Sequence, residues 1–173
     1  MSRSKAKRPL AFRHRVPRGL GPLVSLIKEY VVDCAYKGSF PACPSAREPA
    51  LTGQCSNAST LFWIMAGDKK MGWKCCSLPA RIWPLGGPHA FIEHVPSGTI
   101  VDPTAGQYSR WQRIPYEKAE YRGNAGVRID SETGLYVPHK PAIAALAKIL
   151  ADTRSASAIQ SAYDWGIAHG STP

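Results

Sequence analysis

From Pro22 to about Lys37 the apolar residues Leu23, Leu26, Ile27, Tyr30, Val31 and Cys34 return at three- and four-residue intervals, which predicts an amphipathic helix with one buried face. The stretch KGSFPACPSAREPALTGQ follows, rich in Gly, Pro and Ser, and predicts a long irregular connection of the kind that usually carries function. Ser56 to about Asp68 predicts a second helix. Its middle (Leu61, Phe62, Ile64, Met65) is almost wholly apolar, so it is expected to be buried on most sides. After GDKKMG the pattern changes to strands. WKCCSLPARIW is one, broken at Pro79, and GGPHAFIEHV is a second, opened by a glycine-rich turn. TIVDPT is a third, stopped by Pro103, and His89–Val95 with Thr99–Asp102 reads as an antiparallel hairpin around the turn Pro96–Gly98. GVRIDSETGLYVP contributes a further short strand or two. KPAIAALAKILADTR predicts a helix burying Ile143, Leu146, Ala147 and Leu150, with Pro141 in its first turn. SASAIQSAYDWGIAHG predicts a last helix that stops near Gly170. The order helix, helix, strands, helix, helix points to an α+β fold with a small antiparallel sheet rather than a doubly wound one.

The length of 173 residues suits one domain with a normal core. Charge divides it further. Arg3, Lys5, Lys7, Arg8, Arg13, Arg15 and Arg18 supply most of the net charge of +10, with no acid among the first eighteen residues. Residues 1–18 therefore read as a basic, solvated arm, and 19–173 as the folded domain. Such an arm suits contact with nucleic acid or an acidic partner, and an Arg-rich, acid-poor start also fits a transit peptide. There is no apolar run of eighteen residues, hence no expected membrane partner, and no apolar segment of a standard secretory signal. Five cysteines (Cys34, Cys43, Cys55, Cys75, Cys76) then suit a reduced, cytoplasmic state, or delivery as an effector without a standard signal. None shows paired metal-ligand spacing, so neither a metal nor a cofactor is expected.

The chemistry centres on GQCSNASTLF. Cys55 at or beside a helix start would have its thiolate stabilised by the unpaired N–H groups and the helix dipole. Its own N–H, or the Gln54 side chain, is placed to bind an oxyanion. Alone, such a cysteine is more often a packed thiol. His89 and Asp102 change this, because the midpoint between them falls near the hairpin turn, which sets them close across adjacent strands. Asp102 can hold one imidazole nitrogen and aim the other at the sulfur, the nucleophile, base and orienter arrangement. The rivals are weaker. His94 falls on the opposite strand face, and Glu93 shares the His89 face but reads as a surface carboxylate. His139 and His169 lack an acid at useful spacing, His14 lies in the arm, and Asp130 lacks the hairpin geometry. Gln107 is a candidate for a strand-end cap or a substrate contact. Trp73, Trp83 and Trp111 are candidates for groove walls, with core packing as the default. Cys34 reads as a core thiol, and Cys43, between two prolines, is poorly set for catalysis.

GQCSNASTLF, GGPHAFIEHV and TIVDPTAGQY, in that order, resemble the transglutaminase-like and papain-like cysteine enzyme superfamily. The resemblance covers roughly residues 50–108. It implies a central helix carrying Cys55 as nucleophile, packed on a small antiparallel sheet that carries His89 as general base and Asp102 as orienter. The implied reaction is acyl transfer from a protein carboxamide or peptide carbonyl through a thioester, of glutamine deamidase type, with cysteine protease or transglutaminase as alternatives. A non-catalytic basic binding protein, with Cys55 merely buried, is the reading from another class.

Overall fold

The computed structural model describes residues 15–32, 45–82, 88–109, 113–121, 127–129, 136–138 and 140–172. Most of the basic arm, and Cys34, Cys43, Trp83, Trp111, Asp130, His14 and His139, lie outside them.

The chain is α+β. Helix α1 (Gly21–Val31) carries Pro22 in its first turn and buries Leu23, Val24, Leu26, Ile27 and Val31, the stripe its periodicity predicts. The body begins ahead of this helix, for Val16 packs against the core and Pro17 O accepts the N–H of Leu20. Helix α2 (Cys55–Met65) is the central one, with eight of its eleven residues buried. Such a helix is held mainly by apolar burial, roughly 1.5–3 kcal/mol for each side chain like Leu61 or Phe62. Helices α3 (Lys140–Ala151) and α4 (Ser155–Ala168) complete the layer.

The main sheet is antiparallel, with strand order β3-β2-β1-β4, built from β1 (Trp73–Leu78), β2 (His89–His94), β3 (Thr99–Val101) and β4 (Glu120–Tyr121). A separate hairpin joins β5 (Val127–Ile129) to β6 (Tyr136–Pro138). Alternation sends side chains of β1 and β2 to opposite sides. Trp73, Cys75 and Ile92 join the core shared with the helices. Cys76, Leu78 and Phe91 join a smaller cluster with Ile114 and Tyr116 on the other face. The vicinal cysteines thus belong to different layers.

One expectation is corrected. Helix α3 buries Ala142, Ala145 and Ile149, whereas Ile143 and Leu150 are exposed at 41% and 57%. Ala142 and Ala145 let α3 approach its neighbours closely, Ile149 fills the contact near its end and Leu146 packs partly against the core, while Ile143, Ala147 and Leu150 are left outside. Trp73 follows the default of core packing rather than walling a groove: it is buried on the helical side of the sheet, 5.0 Å from Phe62, stacked on Trp165, and its carbonyl accepts the indole N–H of Trp63.

Candidate functional site

The β2–β3 hairpin closes through the pair His94↔Thr99 around a four-residue turn, Val95–Gly98, in which Gly98 takes a positive φ of 65°. The pairing is centred one residue beyond the midpoint of His89 and Asp102. Continued past Ile92↔Val101, it sets Asp102 opposite Phe91, which makes His89 its diagonal neighbour on the same face. Diagonal neighbours are still within reach of long or aromatic side chains. Here they meet, with His89 Nε2 lying 2.6 Å from Asp102 Oδ2 and both side chains fully buried.

Asp102 is held from several sides. Its Oδ2 also accepts the Tyr116 hydroxyl at 2.8 Å. Its Oδ1 accepts the Thr104 N–H at 3.0 Å and the Thr104 hydroxyl at 3.3 Å. The Asp-Pro-Thr sequence therefore forms a side-chain-to-backbone turn at the strand end, as Asp favours. Burial and the neighbouring Asp102 charge push the Tyr116 phenol far above its ordinary range, so it stays protonated and donates.

Cys55 is the first residue of α2, at 9% exposure. It is delivered by Gly53, whose φ of 77° is the left-handed region that glycine enters without a side-chain penalty. The thiol reaches the start of β2, with Sγ 3.9 Å from the carbonyl of Pro88. Burial pushes its pKa up, but the adjacent His89 and the N–H of Ala90 outweigh this, and the net direction is down. The other two described thiols behave oppositely: burial pushes Cys75 and Cys76 up to about 12. For His89, burial opposes the charged form, but the Asp102 charge and hydrogen bond, with the neighbouring Cys55, raise the pKa above its usual value.

The second ring nitrogen, Nδ1, is buried and makes no hydrogen bond among the described residues. Thiol and imidazole are coupled neighbours, each shifting the other's pKa, and the sulfur also lies toward the Pro88 carbonyl. An unpaired buried nitrogen costs about 1–3 kcal/mol, and this one belongs to a ring that neighbours the thiol. Rotation of the Cys55 side chain toward Nδ1 would let it transfer its proton there, leaving a thiolate beside an imidazolium.

Both predicted glutamines are buried here. Gln107 bridges the two loops: its Oε1 accepts the N–H of Gly53 at 3.2 Å, and its Nε2 donates to Thr104 Oγ1 at 3.0 Å. It therefore fixes the nucleophile turn relative to the Asp102 turn. Gln54 caps α2 through its backbone, and its side-chain oxygen accepts from Asn57 Nδ2. The oxyanion role considered for its amide is not displayed by this contact. The first-turn N–H groups of α2 lack intrahelical acceptors by construction, and Cys55 opens that turn.

Among the rivals, Glu93 lies beside Cys76, its Oε2 3.7 Å from that sulfur. His94 is a buried structural residue, bonded at Nδ1 to Ser97 and at Nε2 to Ser171, each at 2.8 Å. His169 stacks on Trp165 and contacts its carbonyl. Three contributors escaped the sequence reading. Thr104 carries a signal in Asp-Pro-Thr. Tyr116, and Tyr108 (its ring set edge-on to His89 at 4.9 Å), follow no spacing that would single them out. Compared with known protein families, curated proteins and solved structures, the chain matches none.

Proposed function

We propose that this chain is a cysteine-dependent acyl-transfer enzyme of papain-like or transglutaminase-like fold, a hydrolase of the glutamine deamidase type acting on protein carboxamides. The observation that carries the reading is the buried, partnerless Nδ1 of His89 beside Cys55, with Nε2 fixed on Asp102. Other buried polar atoms among the described residues, Trp73 Nε1 for one, also lack a partner, but this nitrogen belongs to a ring held by a carboxylate and coupled to a thiol.

The chemistry follows from the groups. Nδ1 takes the Sγ proton, and the thiolate attacks the carbonyl carbon. Negative charge developing on the carbonyl oxygen is met by N–H groups of the first turn of α2. The tetrahedral adduct collapses as the Nδ1 proton passes to the departing nitrogen, releasing ammonia and leaving a thioester. Water then attacks the thioester carbon, gives a proton to Nδ1 and releases a carboxylate as the thiol re-forms. An amine in place of water would make the same site a transglutaminase, and a peptide nitrogen as leaving group would make it a protease.

No helix among the described residues is long and apolar enough to cross a membrane. The test is mass spectrometry of glutamine-containing proteins incubated with the enzyme and with Cys55→Ala. The expected product carries the mass of an amide converted to an acid, lost entirely in the variant. Chain cleavage or crosslinking would reassign the reaction, and full turnover by Cys55→Ala would remove the thiol from it.

A further inference from the structure

We infer that Tyr116 is a positioning residue of this site, its hydroxyl both aiming the Asp102 carboxylate at His89 and moderating the negative charge that the imidazole sees. The inference rests on the proposed Cys55–His89–Asp102 chemistry and extends it by one residue that acts through its bond to Asp102.

The geometry is specific. Asp102 Oδ2 receives two donors, His89 Nε2 at 2.6 Å and the Tyr116 hydroxyl at 2.8 Å, while Oδ1 is turned to Thr104. With both oxygens fixed, the carboxylate plane cannot rotate without breaking a charge-assisted bond, and such bonds are about twice as strong as neutral ones. Tyr116 is itself set firmly: its residue is 7% exposed and its ring meets Phe91 edge-on at 4.8 Å. It is carried by a short 3-10 turn, Tyr116–Lys118, where Lys118 N–H bonds to Pro115 O. Its ring packs with Phe91 and Ile114 on the side of the sheet away from the helices.

The hydroxyl shares the lone pairs on the same oxygen that stabilises an imidazolium. Removing it concentrates negative charge on the bond to His89 and leaves the carboxylate freer to turn. The titratable groups facing the pair are Cys55 from α2, Tyr108 from the turn after β3, and Tyr116 itself; Glu93 stands further along β2.

Tyr116→Phe isolates the hydroxyl, because the ring and its contact with Phe91 are retained. The readout is the rate of Cys55 alkylation by iodoacetate against pH. This anionic reagent favours a thiolate next to an imidazolium, so the rate should rise and then fall with pH, and no substrate needs to be known. In Tyr116→Phe the alkaline limb is expected to move up by about half a pH unit or more as the imidazolium is held more tightly. The maximum rate should fall as its alignment loosens. Thermal unfolding of the same protein checks that the fold is kept. A folded variant whose profile superimposes on the wild type overturns the role of Tyr116 alone. A wild-type profile with no alkaline limb, unchanged by Asp102→Asn, overturns the underlying site instead.

Discussion

Replacing Cys55 with alanine removes the thiol but leaves His89 and Asp102 together, which isolates the charge on a buried imidazole. Burial opposes that charge, yet the Asp102 carboxylate 2.6 Å away raises the pKa of His89 above its ordinary value. A histidine with a raised folded pKa contributes stability that is complete below its unfolded pKa, about 6.5, and is lost as pH rises toward the folded value. Across that window the folded chain holds up to one more proton than the unfolded chain, so stability falls by up to about 1.4 kcal/mol per pH unit. Between about pH 6.5 and 8.5 this amounts to roughly 2–3 kcal/mol, a large part of the 5–15 kcal/mol typical of a domain. The wild type should be flat over the same range. Its folded pair holds one proton between the imidazole and the sulfur, while the unfolded pair holds one on the thiol and none on the imidazole. Above that range Cys75 and Cys76, pushed up to about 12 by burial, add a slope of the same sign, so the comparison stops there. The assay is urea unfolding at three pH values, followed by tryptophan fluorescence, for wild type, Cys55→Ala and Cys55→Ala with Asp102→Asn. The slope should appear in the single variant and vanish in the double. A flat Cys55→Ala profile would refute the claim that Asp102 keeps this imidazole charged.

Two further outcomes follow from the hydrogen bonds. Gln107→Leu deletes the bonds to Gly53 N–H and Thr104 Oγ1 and should cost about 1–3 kcal/mol, lowering Tm by a few degrees and slowing Cys55 alkylation. Unchanged Tm and rate would mean that the two loops are held without it. His94 titrates in the opposite sense to His89. Burial lowers its pKa, so the unfolded chain binds the extra proton first and stability drops as pH falls below about 6.5. His94→Gln should lose less stability than wild type between about pH 6.5 and 5.5, and a parallel loss in both would discount the titration of this residue.

Much of the layout was legible because it rests on periodicity. The stripe of α1 and the apolar surround of α2 follow directly from residue spacing. The nearness of His89 and Asp102 survived a hairpin centred one residue away from their midpoint. Moving the centre by one slides the partners by two, and a slide of two preserves the face in a period-two strand. What was not legible depends on distances between layers. In α3 the apolar residues mark two stripes, and only the packing of its neighbours selects the one of Ala142, Ala145 and Ile149. For Trp73 core packing was the default, and its place between Phe62 and Trp165 could be seen only once the layers were set. Tyr116 lies fourteen positions beyond Asp102 along the chain, and no local pattern links the two.

The bonds of Ser171 bear on how the molecule assembles. Its hydroxyl donates to the carbonyl of Met71 at 2.8 Å and so accepts from His94 Nε2, joining the turn before β1 to the end of β2. That contact spans a hundred residues of chain. During synthesis the hairpin carrying His89 and Asp102 emerges well before the segment that seals its far end, and until then Trp73 and His94 lack their cover from Trp165. Closure of so long a loop is slow compared with forming a hairpin, so the last event in folding should be the docking of α4 and Ser171. Nascent chains stalled short of this segment would then expose an aromatic surface that the finished protein hides.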